Sequence, residues 1–436
     1  MLRSFRGMRL RLAIRGISNG VDAQQHPVRW NLAGDRVLLF LARFIRLFSY
    51  GALSVVLVLY LTGLGLSESQ TGLLLSLTLV GDTVVSLFLT TQADRIGRRR
   101  MLIIGAILMT AAGLTFASTR SFLLLVVAGT IGVLSPSGNE VGPFLPIEQA
   151  ALAQLTPPPA RTGLFAWYAL TGALATAGGS LFAGLLTEML EKATLPPVAS
   201  ERAIIFLYAG LGALLAGLFQ RLSPRSETET NAGRVEGRNL LGIGSSRSVV
   251  FRLSGLFALD AFGGGFVVQS FAVYWFYLRF RANPAALGGI FFGANVCAGL
   301  SALVASRLAA RFGLVRTMVF THLPSNILLI LIPLMPNLPL AVLVLFLRFS
   351  ISQMDVPTRQ SYTMAIVRPE ERSATAGITG VARTTGAALA PMLAGLLFAR
   401  PALINLPFFI AGTLKIAYDL LLYRAFVGLH PPEEAK

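Results

Sequence analysis

A single cysteine, Cys297, leaves no partner for a disulfide, and with only His26, His322 and His430 beside it no Cys/His set can be assembled around a metal. Lysine is equally scarce. Lys192, Lys415 and Lys436 follow Glu, Leu and Ala, so the chain holds no G-K-[ST] phosphate loop, and any work it does must draw on a gradient and not on ATP that it binds. So few histidines and thiols also leave no nucleophile and base pair, so the reading is not an enzyme, and no cofactor is called for. Acids are short as well: 20 Asp and Glu stand against 37 Lys and Arg, a net charge of +17. In a soluble chain that excess would point to nucleic acid. Here the arginines sit in short turns between apolar runs, where positive charge sets topology, and nucleic acid is set aside as a partner.

What is abundant is apolar. Hydrophobic residues make up 54% of the chain and the mean hydropathy is +0.68, so most residues must face lipid or one another. Apolar spans near the length that crosses a bilayer are read at 36–62, 70–92, 101–118, 121–152, 161–187 and 202–221. A polar stretch at 222–248, containing RSETETNAGRVEGRN, interrupts them and reads as a linker. Six more spans follow at 249–278, 286–309, 315–334, 338–366, 372–399 and 402–424. The expected organisation is a tail over 1–34, a bundle over 35–221, the linker, a bundle over 249–425 and a short tail over 426–436. Twelve crossings leave both ends on one side. Twenty-four of the Lys and Arg fall on that side and six opposite, a bias that puts both termini in the cytoplasm of a protein integral to the cell membrane. The arginine-bearing, acid-poor start also fits an organellar transit peptide or an extended start.

The two halves repeat. Gly72 and Gly97 match Gly288 and Gly313 at one offset, Gly163 and Gly172 match Gly377 and Gly386, and Glu140-Val141 matches Asp355-Val356. Between the second and third spans stands ADRIGRRRML, in which Ala93, Asp94, Arg95, Gly97, Arg98, Arg99 and Leu102 fall in place with a known signature loop. The chain thereby resembles the major facilitator superfamily over essentially its full length, although Thr90 stands where the family usually has glycine and Ala310 replaces the acid in the second copy. The resemblance implies an all-α membrane protein of 12 transmembrane helices in two pseudo-symmetric six-helix bundles. It also implies a small-molecule solute bound near the midplane, a gating role for Asp94, Arg95, Gly97, Arg98 and Arg99, and a monomer.

Ionisable side chains inside spans are costly and mark functional positions. Arg43, Arg46 and Tyr50 share one face of the first helix, and Thr78, Asp82, Ser86 and Thr90 form a polar stripe on the second. Asp82 is in position to pair with Arg43 or Arg46. On the tenth span Arg348, Ser352, Asp355, Arg359 and Tyr362 step by three and four along one face, with Pro357 favouring a kink. Asn139 and Glu140 mirror them on the fourth span, with Glu148 two turns on, and Arg383 adds a cation on the eleventh. Each set has a plain alternative: ion pairs that only fix packing, or for Arg383 snorkelling. Trp167, Tyr168, Tyr274 and Trp275 read as an interfacial belt, with pocket walls as the alternative. The resulting expectation is a secondary transporter of a small charged or zwitterionic solute, proton-coupled and exporting by antiport. Symport uptake of an organic or phosphorylated anion is the second choice, and a membrane sensor that transports nothing is a third.

Overall fold

A computed structural model describes residues 29–140, 142–157, 161–227, 246–368 and 371–429. Most of the expected tail and linker, and the last residues of the chain, lie outside them. Among the described residues there is no strand, as expected where a bilayer offers the backbone no partners and each spanning segment must satisfy its own N–H and C=O groups. In the first half the helices are α1 (Arg29–Gly63), α2 (Glu68–Ile96), α3 (Arg98–Ser118), α4 (Phe122–Ile131), α5 (Phe144–Gln154), α6 (Arg161–Lys192) and α7 (Pro197–Phe219). In the second they are α8 (Arg247–Gly265), α9 (Gln269–Phe280), α10 (Pro284–Phe312), α11 (Leu314–Leu331), α12 (Leu338–Ser352), α13 (Asp355–Ala365), α14 (Arg372–Phe398) and α15 (Leu406–Phe426).

Among the described residues, eleven helical stretches are long and apolar enough to cross a membrane. The twelfth crossing is the pair α4 and α5. The fourth, seventh and tenth crossings are each split, and in the fourth and tenth the split has a local cause. Between α4 and α5 stand Pro136 and Pro143, with Gly138 and Gly142 at φ +68° and +81°, a region closed to most side chains. Asn139 and Glu140 therefore ride on irregular backbone and not on the continuous helix their spacing implied. The carbonyls exposed by this break find partners inside the protein: Ser270 donates from Oγ at 2.6 Å and from its backbone N–H at 3.1 Å to Pro136, Thr176 Oγ1 donates to Gly138 at 3.3 Å, and the Tyr208 hydroxyl donates to Val133. The tenth span breaks at Gln353 and Met354. Pro357 has no N–H to return to the carbonyl of Gln353, four residues back, so Arg348 and Ser352 end on α12 while Asp355, Arg359 and Tyr362 begin again on α13.

The packing follows the repeat. Within the halves α1 lies along α6, and α8 along α14; between the halves α6 crosses α10, and α2 crosses α14. Glycine sets both crossings. A Cβ on Gly395 would lie 2.4 Å from the carbonyl oxygen of Glu68 and 2.8 Å from Cα of Gly72, and one on Gly184 would lie 2.4 Å from Pro284 O and 2.7 Å from Cα of Gly288. All four glycines sit at the membrane face remote from the termini. Hydrogen bonds across the halves gather on the same side: Gln269 Nε2 to Ser54 Oγ at 2.8 Å, Tyr274 OH to Glu68 Oε1 at 2.8 Å, the Ala285 N–H to Glu188 at 3.0 Å and the Met392 N–H to Ser76 Oγ at 2.8 Å. Nearer the other face, a Cβ at Gly377 or Gly380 would meet nothing within 4 Å beyond its own helix. The halves are thus interlocked at one face of the membrane.

Gly395→Leu is expected to prise this interlock apart, because the obstacle is backbone and cannot swing away. With Cys297 replaced by alanine and a cysteine placed at Ser76, labelling by a membrane-impermeant maleimide should rise several-fold in the Gly395→Leu background. An unchanged rate would show that the contact does not hold the halves shut.

Candidate transport site

Most of the intramembrane charges among the described residues fall into two networks, one in each half. In the first, Arg43 and Arg46 come from α1, Glu140 from the break between α4 and α5, Glu148 from α5 and Tyr168 from α6. Arg43 Nη1 donates to Glu140 Oε2 at 2.7 Å and Arg46 Nε to Glu140 Oε1 at 2.8 Å. Arg46 then grips Glu148 with both remaining nitrogens, at 2.6 and 2.7 Å, and the Tyr168 hydroxyl donates to the same carboxylate. The Arg43 guanidinium lies 4.3 Å from the Tyr168 ring centre and that of Arg46 4.6 Å from Phe144. Two arginines meet two carboxylates, so this network is neutral and every nitrogen of Arg46 is occupied.

Gly172 on α6 makes room for it. A Cβ there would come within 2.7 Å of Arg43 Nε and 2.9 Å of Nη2. Gly172→Val is expected to displace Arg43 from Glu140 and to destabilise the protein by about 1–3 kcal/mol, the usual cost of overpacking. Thermal unfolding in detergent measures it, and a melting point equal to wild type would show that Arg43 moves aside freely.

The second network is built on Asp260 of α8. Its Oδ1 accepts from Lys415 Nζ of α15 at 2.5 Å and its Oδ2 from Arg359 Nη1 of α13 at 3.0 Å, with His322 Nε2 of α11 at 3.7 Å. Arg359 also pairs with Asp355, one turn before it, at 3.3 Å. His322 Nδ1 lies 2.8 Å from Asp419 Oδ1, and Asn326 Nδ2 donates to Asp419 Oδ2 at 2.9 Å. In both halves, then, the first helix of the bundle is bridged to the fourth crossing by an ion pair, with the signs exchanged: the arginine is on α1 in one copy and on α13 in the other.

Several expectations change. Asp82 pairs with neither Arg43 nor Arg46. It is buried near Ser86 Oγ at 3.4 Å and accepts from the backbone N–H of Gly142, with no cation in contact among the described residues. The arginines turn instead to Glu140 and Glu148, because the broken fourth crossing carries those acids onto α1. Tyr50 is fully buried and stacks on Tyr208 at 6.4 Å. Asn139 is exposed, Ser352 is buried, and Arg348 and Arg383 are half-buried without a hydrogen-bonding or ionic partner among the described residues. No ion pair among the described residues joins the two networks. Of the expected belt only Trp167 is exposed, at 65%; Trp275 is buried and donates to Asn405 Oδ1 at 2.9 Å, while Tyr168 and Tyr274 bond glutamates inside.

In the signature loop, the side chains of Asp94 and Arg95 lie outside the described residues. Gly97, at φ +116°, turns the chain from α2 into α3. The freed N–H groups of Arg98 and Arg99 donate to the Glu227 carboxylate at 2.6 and 3.1 Å, and Arg98 Nη1 donates to Gln154 at 2.7 Å. An acid at a helix N-terminus is favourably placed to satisfy such groups.

Asp260, His322, Asn326, Lys415 and Asp419 were not among the expected site residues. Their signal was present: His322 with Asn326 and Lys415 with Asp419 are spaced four apart within apolar spans, the spacing of one helical face.

With two bundles, split helices and intramembrane ion pairs in view, comparison with known proteins gives the class. The family model of the Major Facilitator Superfamily matches residues 39–353, and the chain belongs to that family. Over 424 residues it is 33% identical to the uncharacterized membrane protein YJR124C of Saccharomyces cerevisiae, covering 91% of this chain and 94% of that one. It is 26% identical to the quinolone resistance protein NorA of Staphylococcus aureus over 203 residues, 44% of this chain and half of NorA. A crystal structure of a variant of the nucleoside transporter NupG has the same fold, with a TM-score of 0.73 at 13% identity over 90% of this chain and 99% of that one. The protein is accordingly an integral membrane protein of a transporter family.

Proposed function

We propose that this chain is a secondary active transporter that exports a small charged or zwitterionic solute by alternating access in exchange for protons. The observation that carries the reading is the one-sided interlock: two bundles held together by glycine crossings at one face, with charged networks at mid-depth, make the resting arm of a rocking cycle. The repeat supports bundles at 35–221 and 249–425 joined by a linker at 222–248. The positive bias of the termini's side supports cytoplasmic ends in the cell membrane, which makes the described state inward-facing, and a single chain is sufficient for the cycle. Buried carboxylates beside arginines supply groups able to exchange protons as partners separate. NorA, named for quinolone resistance, supports export. Uptake of an anion with protons is the second reading, favoured by the surplus of cations in the second half.

Proteoliposomes holding the full chain test this. Under an imposed pH gradient, saturable solute movement opposite to the proton flow is expected, with organic anions and cationic dyes screened in turn. Movement in the same direction as the protons selects symport. Absence of flux under any gradient ends the transporter reading.

A further inference from the structure

The split in the seventh crossing leaves the first turn of α9 with backbone N–H groups that have no partner in their own helix. Gln269 and Ser270 stand in that turn, and both reach into the other half. Both amide hydrogens of Gln269 are taken: Nε2 donates to Ser54 Oγ of α1 at 2.8 Å and to Ser180 Oγ of α6 at 3.3 Å, while Oε1 accepts from Asn295 Nδ2 of α10 at 3.2 Å. The two serine oxygens are free to accept because their own hydrogens go to the carbonyls of Gly51 and Thr176. Ser270, 1% exposed, gives its hydroxyl and its N–H to the Pro136 carbonyl. At 1.5 Å per residue this dipeptide lies about 16 Å along α9 from its far end, close to the middle of a core about 30 Å thick and deeper than the glycine crossings.

Its grip falls on the segment that carries Glu140. Pro136 lies four residues before that acid; Gly138, whose Cβ would sit 3.5 Å from Gln269 Nε2, lies two before it, and Thr176 fastens the Gly138 carbonyl to α6. From this anchored stretch Glu140 reaches Arg43 and Arg46. The second copy has no equivalent. Ser54 and Gln269 are separated by the same 215 residues as Glu140 and Asp355, so Val55 stands where Ser270 does, and valine has no side-chain donor to offer the break at Gln353 and Met354. We propose that Gln269 and Ser270 are positioning residues that tie closure between the halves to the Glu140 ion pairs: the bonds that lock the bundles also hold the 136–140 backbone where its carboxylate meets both arginines. Opening the closed face then loosens the Glu140 pairs and leaves Asp355 with Arg359. This deepens the transporter reading and rests on it for its purpose, while the link itself can be measured without transport.

Thermal unfolding of the full chain in detergent tests the link through double-variant cycles. Glu140→Gln is expected to lower the melting point of the wild type, and to lower that of Ser270→Ala by about half as much or less, whereas the drop caused by Asp355→Asn is expected to be equal in both backgrounds. Ser270→Thr, which keeps the hydroxyl, should restore the full Glu140→Gln effect. Coupling is reciprocal, so a cysteine at Ser76 in the Cys297→Ala chain should react with an impermeant maleimide about threefold faster or more in Glu140→Gln, and at an unaltered rate in Asp355→Asn. That measurement leaves Gln269 and Ser270 intact, so a Ser270 variant that fails to fold does not shield the proposal. Additive melting shifts or an unchanged labelling rate in Glu140→Gln overturn the link. Equal responses to Glu140→Gln and Asp355→Asn overturn it too, since general loosening would produce them. Coupling as expected with no flux of any solute would instead sink the transporter reading and leave the link standing.

Discussion

Solute flux driven by a pH gradient is expected to fall to background in Glu140→Gln and in Asp355→Asn proteins, while both remain folded and monodisperse. Glu140, at the break in the fourth crossing, holds Arg43 and Arg46 of α1, and Asp355, which opens α13 after the break in the tenth, holds Arg359. An amide keeps the size and some of the hydrogen bonds of the acid but cannot change charge. On the proposed cycle this removes the step in which a carboxylate takes a proton as its arginine withdraws. Flux driven by the solute gradient alone, measured in the same vesicles, should survive better than flux driven by protons. Wild-type rates across a range of pH in both variants would remove the coupling role from this pair and turn attention to Asp82, the buried acid with no cation in contact among the described residues.

The largest expected change in stability belongs to Arg46. Arg46→Leu leaves Glu148, which is fully buried, with only the Tyr168 hydroxyl, and takes from Glu140 one of its two partners. Stranding a buried carboxylate in this way costs about 3–5 kcal/mol. The double variant Arg46→Leu, Glu148→Leu removes the stranded charge and should recover much of the loss, since a buried ion pair and an apolar replacement of similar size are often close in stability. Thermal unfolding in detergent, followed by size-exclusion of the heated sample, separates the outcomes. A single variant as stable as the double would mean that water reaches Glu148 and that the network is not dry.

Much of the fold could be read without coordinates because the signals were periodic. The apolar runs, the arginine-bearing turns and the glycines recurring at a fixed offset all report on local geometry or on a duplicated chain. Helix breaks were less legible. Pro357 announced a kink, yet the loss of one hydrogen bond does not say how far the helix unwinds. The segment from Gly132 to Glu140 can stay irregular because Ser270, Thr176 and Tyr208, distant in sequence, donate to its carbonyls. Pairing was less legible still. Spacing placed Arg43, Arg46 and Tyr50 on one face but could not say which acid would meet them, and Asp82, the natural candidate on the neighbouring helix, was passed over for Glu140 and Glu148.

The residues alone determined that the chain lies in a membrane, crosses it twelve times in two related halves, contains no G-K-[ST] loop, and carries several arginines within its apolar spans. Those conclusions rest on composition and on period, which are properties of sequence. Which arginines enter internal pairs and which do not depends on distances between helices far apart along the chain. Only the tertiary structure decided that Arg43, Arg46 and Arg359 are engaged while Arg348 and Arg383 have no ionic partner among the described residues, because an ion pair is a contact within a few ångströms and no one-dimensional pattern encodes it.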